Sequence, residues 1–257
     1  YAYRQAIIRN PSSPIYNEDG SYNENLNLLY YYNPRGIQDE YIGDGRNRFY
    51  RLSGNITFEP IKGWQTNLMV SMKENVYTGE SYTTSKHYSL VTQNDYNGSA
   101  SKSESASRND NIELTSKYDF NIDKHRVSAL VGYSYLYNVY DGFSASNGNF
   151  PTEAYLYNNL GIGTLLTEED RHAGMSSSKS DDKLIGFFGR VSYGYDNRYN
   201  ALISVRREGS TRFGSNHRWG TFPSVSLGWT ISNEEFMKDQ TWLNNLKLRV
   251  GYGVTGV

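Results

Sequence analysis

From Pro223 to Ile231 every second residue is apolar (Val225, Leu227, Trp229, Ile231), and the residues between them, Ser224, Ser226, Gly228 and Thr230, are small or polar. Two residues is the side-chain repeat of an extended chain, so the stretch reads as a strand with one apolar and one wet face. The rhythm returns after a polar connection, where Leu246, Leu248, Val250, Tyr252 and Val254 alternate with Lys247, Arg249, Gly251, Gly253 and Thr255. Each run is long enough to cross a bilayer at a tilt, and together they read as a transmembrane β-hairpin over 218–255.

Three more hairpins follow from the same pattern. Over 47–77, Tyr50, Leu52, Ile56 and Phe58 lead through Pro60–Gly63 to Trp64, Leu68, Val70 and Met72. Over 109–140, Ile112, Leu114, Tyr118, Phe120 and Ile122 turn at Asp123-Lys124 into Val127, Ala129, Val131, Tyr133, Tyr135 and Tyr137. Over 183–208, Ile185, Phe187, Val191, Tyr193 and Tyr195 turn at Asp196–Arg198 into Tyr199, Ala201, Ile203 and Val205. The links between hairpins, Thr78–Arg108, Asp141–Asp182 and Glu208–His217, are polar, lack periodicity and read as longer loops. Short turns on one side and long loops on the other are the habit of outer-membrane barrels. Strands ending at Glu59, Ile122, Tyr195 and Ile231 are therefore expected to run down to the periplasm. Aromatics close to the strand ends share the aliphatic parity, Phe58, Trp64, Phe120, Tyr195, Tyr199 and Trp229 low and Tyr50, Tyr135, Tyr137 and Phe187 high, as interfacial girdles do.

Composition agrees. The chain has 24 tyrosines and 24 glycines against 6 prolines, which favours an all-β architecture. A mean hydropathy of −0.71 is compatible with strands that are only half apolar. No apolar run approaches the length of a transmembrane helix. A net charge of −1 provides no field for nucleic acid, and with no cysteine there are neither disulfides nor thiolate metal sites. The opening Tyr-Ala-Tyr-Arg-Gln has no signal-peptide character, so a mature chain or an internal fragment is expected. Residues 1–46 read as a loop segment leading into a barrel portion over 47–257; within it Asn10–Gly20 is turn chemistry throughout.

Two stretches carry a resemblance. The ordered string Arg212-Phe213-Gly214, Arg218-Trp219-Gly220, Phe222–Trp229, Asn233-Glu234, Trp242-Leu243, Leu246–Arg249 and Gly251-Tyr252-Gly253 resembles the late-barrel signature of SusC/RagA-type TonB-dependent outer-membrane transporters. About 200 residues upstream, Asn10-Pro11-Ser12-Ser13-Pro14-Ile15-Tyr16-Asn17-Glu18-Asp19-Gly20 is similar to a second segment of that family, with Ser12 where Thr is more usual. The resemblance implies eight strands of a 22-stranded antiparallel barrel in the outer membrane of a Bacteroidetes-type bacterium. It implies a plug domain and TonB-engaging motif absent from this chain, a SusD-like lipoprotein lid, and import of oligosaccharides or peptides driven through TonB. Eight strands could also close a small barrel alone.

Chemical motifs are sparse. Ser176-x-x-Lys179 and Ser99-x-x-Lys102 match a nucleophile spacing but lie in serine-rich stretches. His87, His125, His172 and His217 are scattered, Glu168-Glu169-Asp170 and Asp181-Asp182 read as acidic turns before cation sites, and Gly161-x-Gly163 lacks a dinucleotide-site context. No catalytic or metal-binding residue is assigned and no cofactor is expected. Ser232-Asn233-Glu234-Glu235 has capping-box spacing and opens a link, Ser232–Asn244, expected to form a short helix packed on the barrel rim. The remaining candidates are substrate-path groups: Arg206, Arg212, Asn216, Arg218 and Trp219 lie near the outer end of two strands, where planar donors and a ring suit sugar hydroxyls or peptide carbonyls. The same residues would equally serve to pair with carboxylates such as Glu208 and cap the sheet. Two other classes stay open, a small outer-membrane barrel enzyme and a secreted glycan-binding β-sandwich.

Overall fold

The computed structural model describes residues 2–25, 28, 31–91, 97–166, 174–240 and 242–256. Glu168, Glu169, Asp170 and His172 lie outside the described residues. Two short helices, α1 (Ala2–Ile8) and α2 (Pro34–Asp39), precede eight strands: β1 (Tyr41–Ile61), β2 (Trp64–Thr83), β3 (Ser99–Ile122), β4 (His125–Gly148), β5 (Gly174–Tyr195), β6 (Tyr199–Ser210), β7 (Trp219–Thr230) and β8 (Lys247–Gly253). They form one antiparallel sheet in chain order, with β1 and β8 as its edges. A sandwich needs a second sheet facing the first, and among the described residues there is one sheet, so the sandwich alternative is overturned. The edges are not paired with each other, so these strands do not close on themselves.

The short turns lie where the alternation breaks. β1 and β2 are joined by Lys62-Gly63 with Gly63 at φ +87°, β3 and β4 by Asp123-Lys124 with Asp123 at +51°, and β5 and β6 by Asp196–Arg198 with Asp196 at +49° and Asn197 at +55°. Positive φ matches the twist of the flanking strands, and Gly, Asp and Asn tolerate it. Each of these turns is tied to its neighbour by a backbone hydrogen bond, Asp119 N–H to the Gly63 carbonyl (2.8 Å), Asp196 N–H to Lys124 (2.9 Å) and Thr230 N–H to Arg198 (2.7 Å).

The stretches that read as long loops are partly strand. β2 continues to Thr83 and β3 begins at Ser99, so the Thr78–Arg108 link shrinks to 84–98; β4 runs to Gly148 and β5 starts at Gly174, which shortens Asp141–Asp182 to 149–173. Ladder pairing needs only backbone groups, whereas alternation appears only where one face is wet and the other apolar. The polar run Ser99–Ser107 thus extends β3 without a period, and Ser81 Oγ and Ser101 Oγ meet at 2.8 Å. Residues 1–46 likewise hold two helices and the start of β1 in place of a continuous loop.

The chain divides into two compact units. In the unit made of 1–49, 75–107 and 140–179, Tyr82, Ala100 and Phe150 are buried and Leu156, Tyr157, Leu160 and Ile162 pack on them. There the Asn10–Gly20 segment is a fold of side-chain-capped turns. Asn10 Oδ1 accepts from the Ser12 N–H (3.1 Å) and hydroxyl (2.9 Å), so serine serves where the family has threonine. Asp19 Oδ1 accepts from Ser21 N–H, and Tyr16 bridges Tyr22 around Gly20 at φ +83°. Buried Asn33 caps α2 through Arg35 N–H (3.1 Å) while its amide donates to the Ile15 carbonyl (2.7 Å). The second unit, 50–74, 108–139 and 180–257, carries the two-faced wall described next.

Candidate functional site

Register sorts the wall into two faces. One row runs Val191, Ile203, Val225, Tyr252 across β5 to β8; the next runs Tyr193, Ala201, Leu227, Val250; the last, beside the short turns, runs Tyr195, Tyr199, Trp229, Leu248. Ile203 is 62% exposed and Val250 65%, so among the described residues this apolar face is largely uncovered. On the reverse, the rows are Arg190, Ser204, Ser224, Gly253; then Ser192, Leu202, Ser226, Gly251; then Gly194, Asn200, Gly228, Arg249. Ser204 and Ser224 share a 2.7 Å hydrogen bond, and in the first two of these rows β7 and β8 contribute only serine and glycine, while Arg249 stands in the third.

Toward the short turns the polar face forms a trough of about 460 Å³ lined by Asp119, Asn121, Arg126, Asn200, Lys247 and Arg249 among others. Asp119 pairs with Lys117 at 2.6 Å, and Arg126 donates to Asn197. Toward the long loops the same face holds a second polar group. Phe188 spreads across Gly132, where a Cβ would overlap its ring, and Arg206 stacks on Phe188 at 5.1 Å. Arg206 also bonds Glu208 (2.5 Å) and Ser134 Oγ (3.3 Å).

The five substrate-path candidates part company. Arg206 and Arg218 border a cavity of about 580 Å³ with Glu208, His217 and Phe222. Arg212 pairs with Asp182 at 2.8 Å, and Asp182 also accepts from Asn138, so that carboxylate is engaged in structure. Asn216 sits exposed in a 3-10 turn, Ser215–His217. Trp219 shares the parity of Val225 and thus the apolar face, where its ring stacks with Phe187 at 6.4 Å and Arg207 lies over it at 5.5 Å. The candidates on hydrolytic spacing do not converge either: Ser176 Oγ meets Ser144, Lys179 pairs with Asp141, and Lys102 pairs with Glu80. Among the described residues no three His, Cys, Asp or Glu side chains group as metal ligands.

A site that sequence reasoning missed lies at the short-turn end. Glu234, 7% exposed, accepts from Tyr199 OH (2.6 Å) and Trp229 Nε1 (2.9 Å) with one oxygen and from Arg198 (3.2 Å) with the other. Arg198 also reaches Glu235 (3.0 Å) and Asp196 (3.4 Å), and Asn233 donates to the Asn197 carbonyl (3.0 Å). The two ring donors, then the nearby guanidinium, hold the Glu234 carboxyl below its ordinary value. The expected capping-box helix is replaced by two 3-10 turns, Ile231–Asn233 and Glu235–Met237, with no side-chain cap. Glu235, the residue spaced to cap with Ser232, is engaged by Arg198 and Lys238 instead.

A family model described as "TonB dependent receptor-like, beta-barrel" matches residues 2–256. The chain belongs to this TonB-dependent receptor-like β-barrel family. It is 29% identical over 256 residues to TonB-dependent receptor P3 of Formosa agariphila, covering 99% of this chain and 24% of that protein. It is 51% identical over 73 residues to the TonB-dependent receptor SusC of Bacteroides thetaiotaomicron, covering 28% of this chain and 7% of that protein. Among solved structures, the RagAB peptide importer in its closed-closed state superposes with a TM-score of 0.77 at 24% identity, over 86% of this chain and 24% of that one; the open-open state gives 0.76 at 22%, over 88% and 24%. The chain thus spans about a quarter of the full-length relatives. The SusC/RagA resemblance holds, and the geometry gives its signature a physical content. In this TonB-dependent receptor barrel segment, Trp229 and Glu234 are one hydrogen-bonded pair, Asn233 pins the neighbouring turn, and the alternation from Val225 to Trp229 builds the apolar face.

Proposed function

We propose that this chain supplies eight consecutive strands to the wall of a 22-stranded TonB-dependent transporter in a Bacteroidetes-type outer membrane. The apolar face meets lipid, and the face with Arg126, Asn200, Ser204 and Arg206 lines the lumen. The short turns lie in the periplasm and the long loops outside. A plug domain elsewhere in the same polypeptide fills the barrel and engages TonB, a SusD-like lipoprotein lids the outer mouth, and the cargo is a bulky oligosaccharide or peptide. Residues of this chain line the path and do no covalent chemistry.

One observation carries the reading: across four strands in register, each row on one side is apolar and for the most part exposed, while the rows behind, Leu202 apart, are hydroxyl, amide, glycine or charge. Water on both sides would leave that apolar face without a partner; hydrocarbon on one side accounts for both faces. Relatives called TonB-dependent receptors, SusC among them, and a fold match to a peptide importer favour transport over an outer-membrane enzyme. Of the path candidates, Arg206 and Arg218 stay with the lumen and Trp219 passes to the wall's outside.

The test is accumulation of labelled oligosaccharide or peptide by cells that carry the full-length transporter. Uptake is expected to collapse in a strain lacking TonB and in the presence of an uncoupler. Arg206→Ala is expected to alter the uptake KM, and Trp219→Ala to leave it unchanged. Uptake that continues without TonB refutes the proposal.

A further inference from the structure

Glu234 accepts from Tyr199 and Trp229, and both rings belong to the apolar row that ends in Leu248. Their polar tips therefore draw the β7–β8 connection past the apolar side of the wall, away from the lumen. That connection then exposes two large apolar side chains, Phe236 at 65% and Trp242 at 77%, before the chain re-enters the apolar face at Leu246 and Leu248. Trp242 keeps its Nε1 satisfied by Gln240 (2.8 Å), so its ring projects without an unpaired donor. A connection that leaves and rejoins the wall on its lipid side, at the level of Tyr195, Tyr199 and Trp229, lies at the headgroup boundary, where indole and phenyl rings partition favourably.

We infer that the β7–β8 connection is an interfacial anchor, with Phe236 and Trp242 inserted among the phospholipids of the periplasmic leaflet. Glu234 is the positioning residue. It clamps the connection to the rings of Tyr199 and Trp229 and so aims the two side chains outward along the membrane plane. The inference rests on the membrane reading above, and the experiment separates the two.

Single cysteines replace Phe236, Trp242, Leu227 or Lys62 in the full-length transporter, carry a nitroxide label and are reconstituted in phospholipid bilayers, with heat-modifiable migration confirming that each is folded. Oxygen, which concentrates in the acyl region, and an aqueous nickel chelate compete as relaxants. Labels at Phe236 and Trp242 are expected to favour oxygen severalfold over Lys62 in the exposed turn, and to fall below Leu227. Adding Glu234→Ala is expected to shift both labels toward the Lys62 value without moving Leu227. Labels at 236 and 242 that match Lys62 while Leu227 stays in lipid overturn the anchor alone. Shielding from both relaxants means that protein covers the connection and overturns it as well. A wet Leu227 removes the membrane reading and the anchor with it.

Discussion

Arginine placed at two adjacent positions of β6 should have unequal consequences. Ile203 lies four residues from Tyr199 in the aromatic row beside the turns. At about 3.3 Å per residue and a tilt of about 40°, it sits roughly 10 Å above that row, near the middle of an apolar band about 25 Å tall. An arginine there costs about 2–4 kcal/mol, roughly 30- to 700-fold in the folding equilibrium. Its row neighbours Val191 and Val225 offer no acceptor. Ser204→Arg turns the same charge to the polar face, and its expected loss is the hydrogen bond to Ser224, about 1 kcal/mol. Folding of the full-length transporter into bilayers from guanidinium, followed by heat-modifiable migration, reads both. An Ile203→Arg protein that folds as well as Ser204→Arg, or better, refutes the assignment of faces.

Two further expectations concern packing and pH. Gly132→Ala drives a methyl group into the Phe188 ring, an overpacking cost of about 1–3 kcal/mol; Phe188→Leu should restore much of it in a double-mutant cycle, and additive losses would show that the two do not meet. Glu234 has a lowered folded-state pKa, so its contribution is present above the ordinary value of 4.5 and is lost as pH falls through the depressed value. An acid titration of the folded fraction should lose part of its steepness in Glu234→Gln, and an unchanged acid limb would count against the clamp.

Legibility followed solvent contrast. Ile112 to Ile122 and Val225 to Trp229 announced themselves because one side of each strand is apolar and exposed and the other polar. Ser99–Ser107 did not, since a strand polar on both sides has no period to show although its backbone pairs as well. Trp219 was grouped with Arg206 by closeness along the chain, whereas its odd number, in step with Val225, already assigned it to the other face. Glu234 lies between the capping-box residues Ser232 and Glu235 and carries no sequence signal of its own, because its partners Tyr199 and Arg198 are 35 and 36 residues away. The Asn10–Gly20 match was recognisable as turn chemistry, but its anchor, the Asn33 amide on the Ile15 carbonyl, lies too far along the chain to be inferred from spacing.

In two successive rows the polar side of β7 and β8 offers only Ser224 and Ser226 beside Gly253 and Gly251, so little stands proud of the peptide planes there between Phe222 and Arg249 of the same parity. If this side lines the proposed passage, the clearance over those two rows is fixed by the hydrogen-bonded ladder itself. Side chains can swing aside as a large cargo goes by, but a ladder cannot. On that proposal, any widening that such cargo requires would come from parts not woven into it, with this stretch of wall as the unyielding bank against which they move.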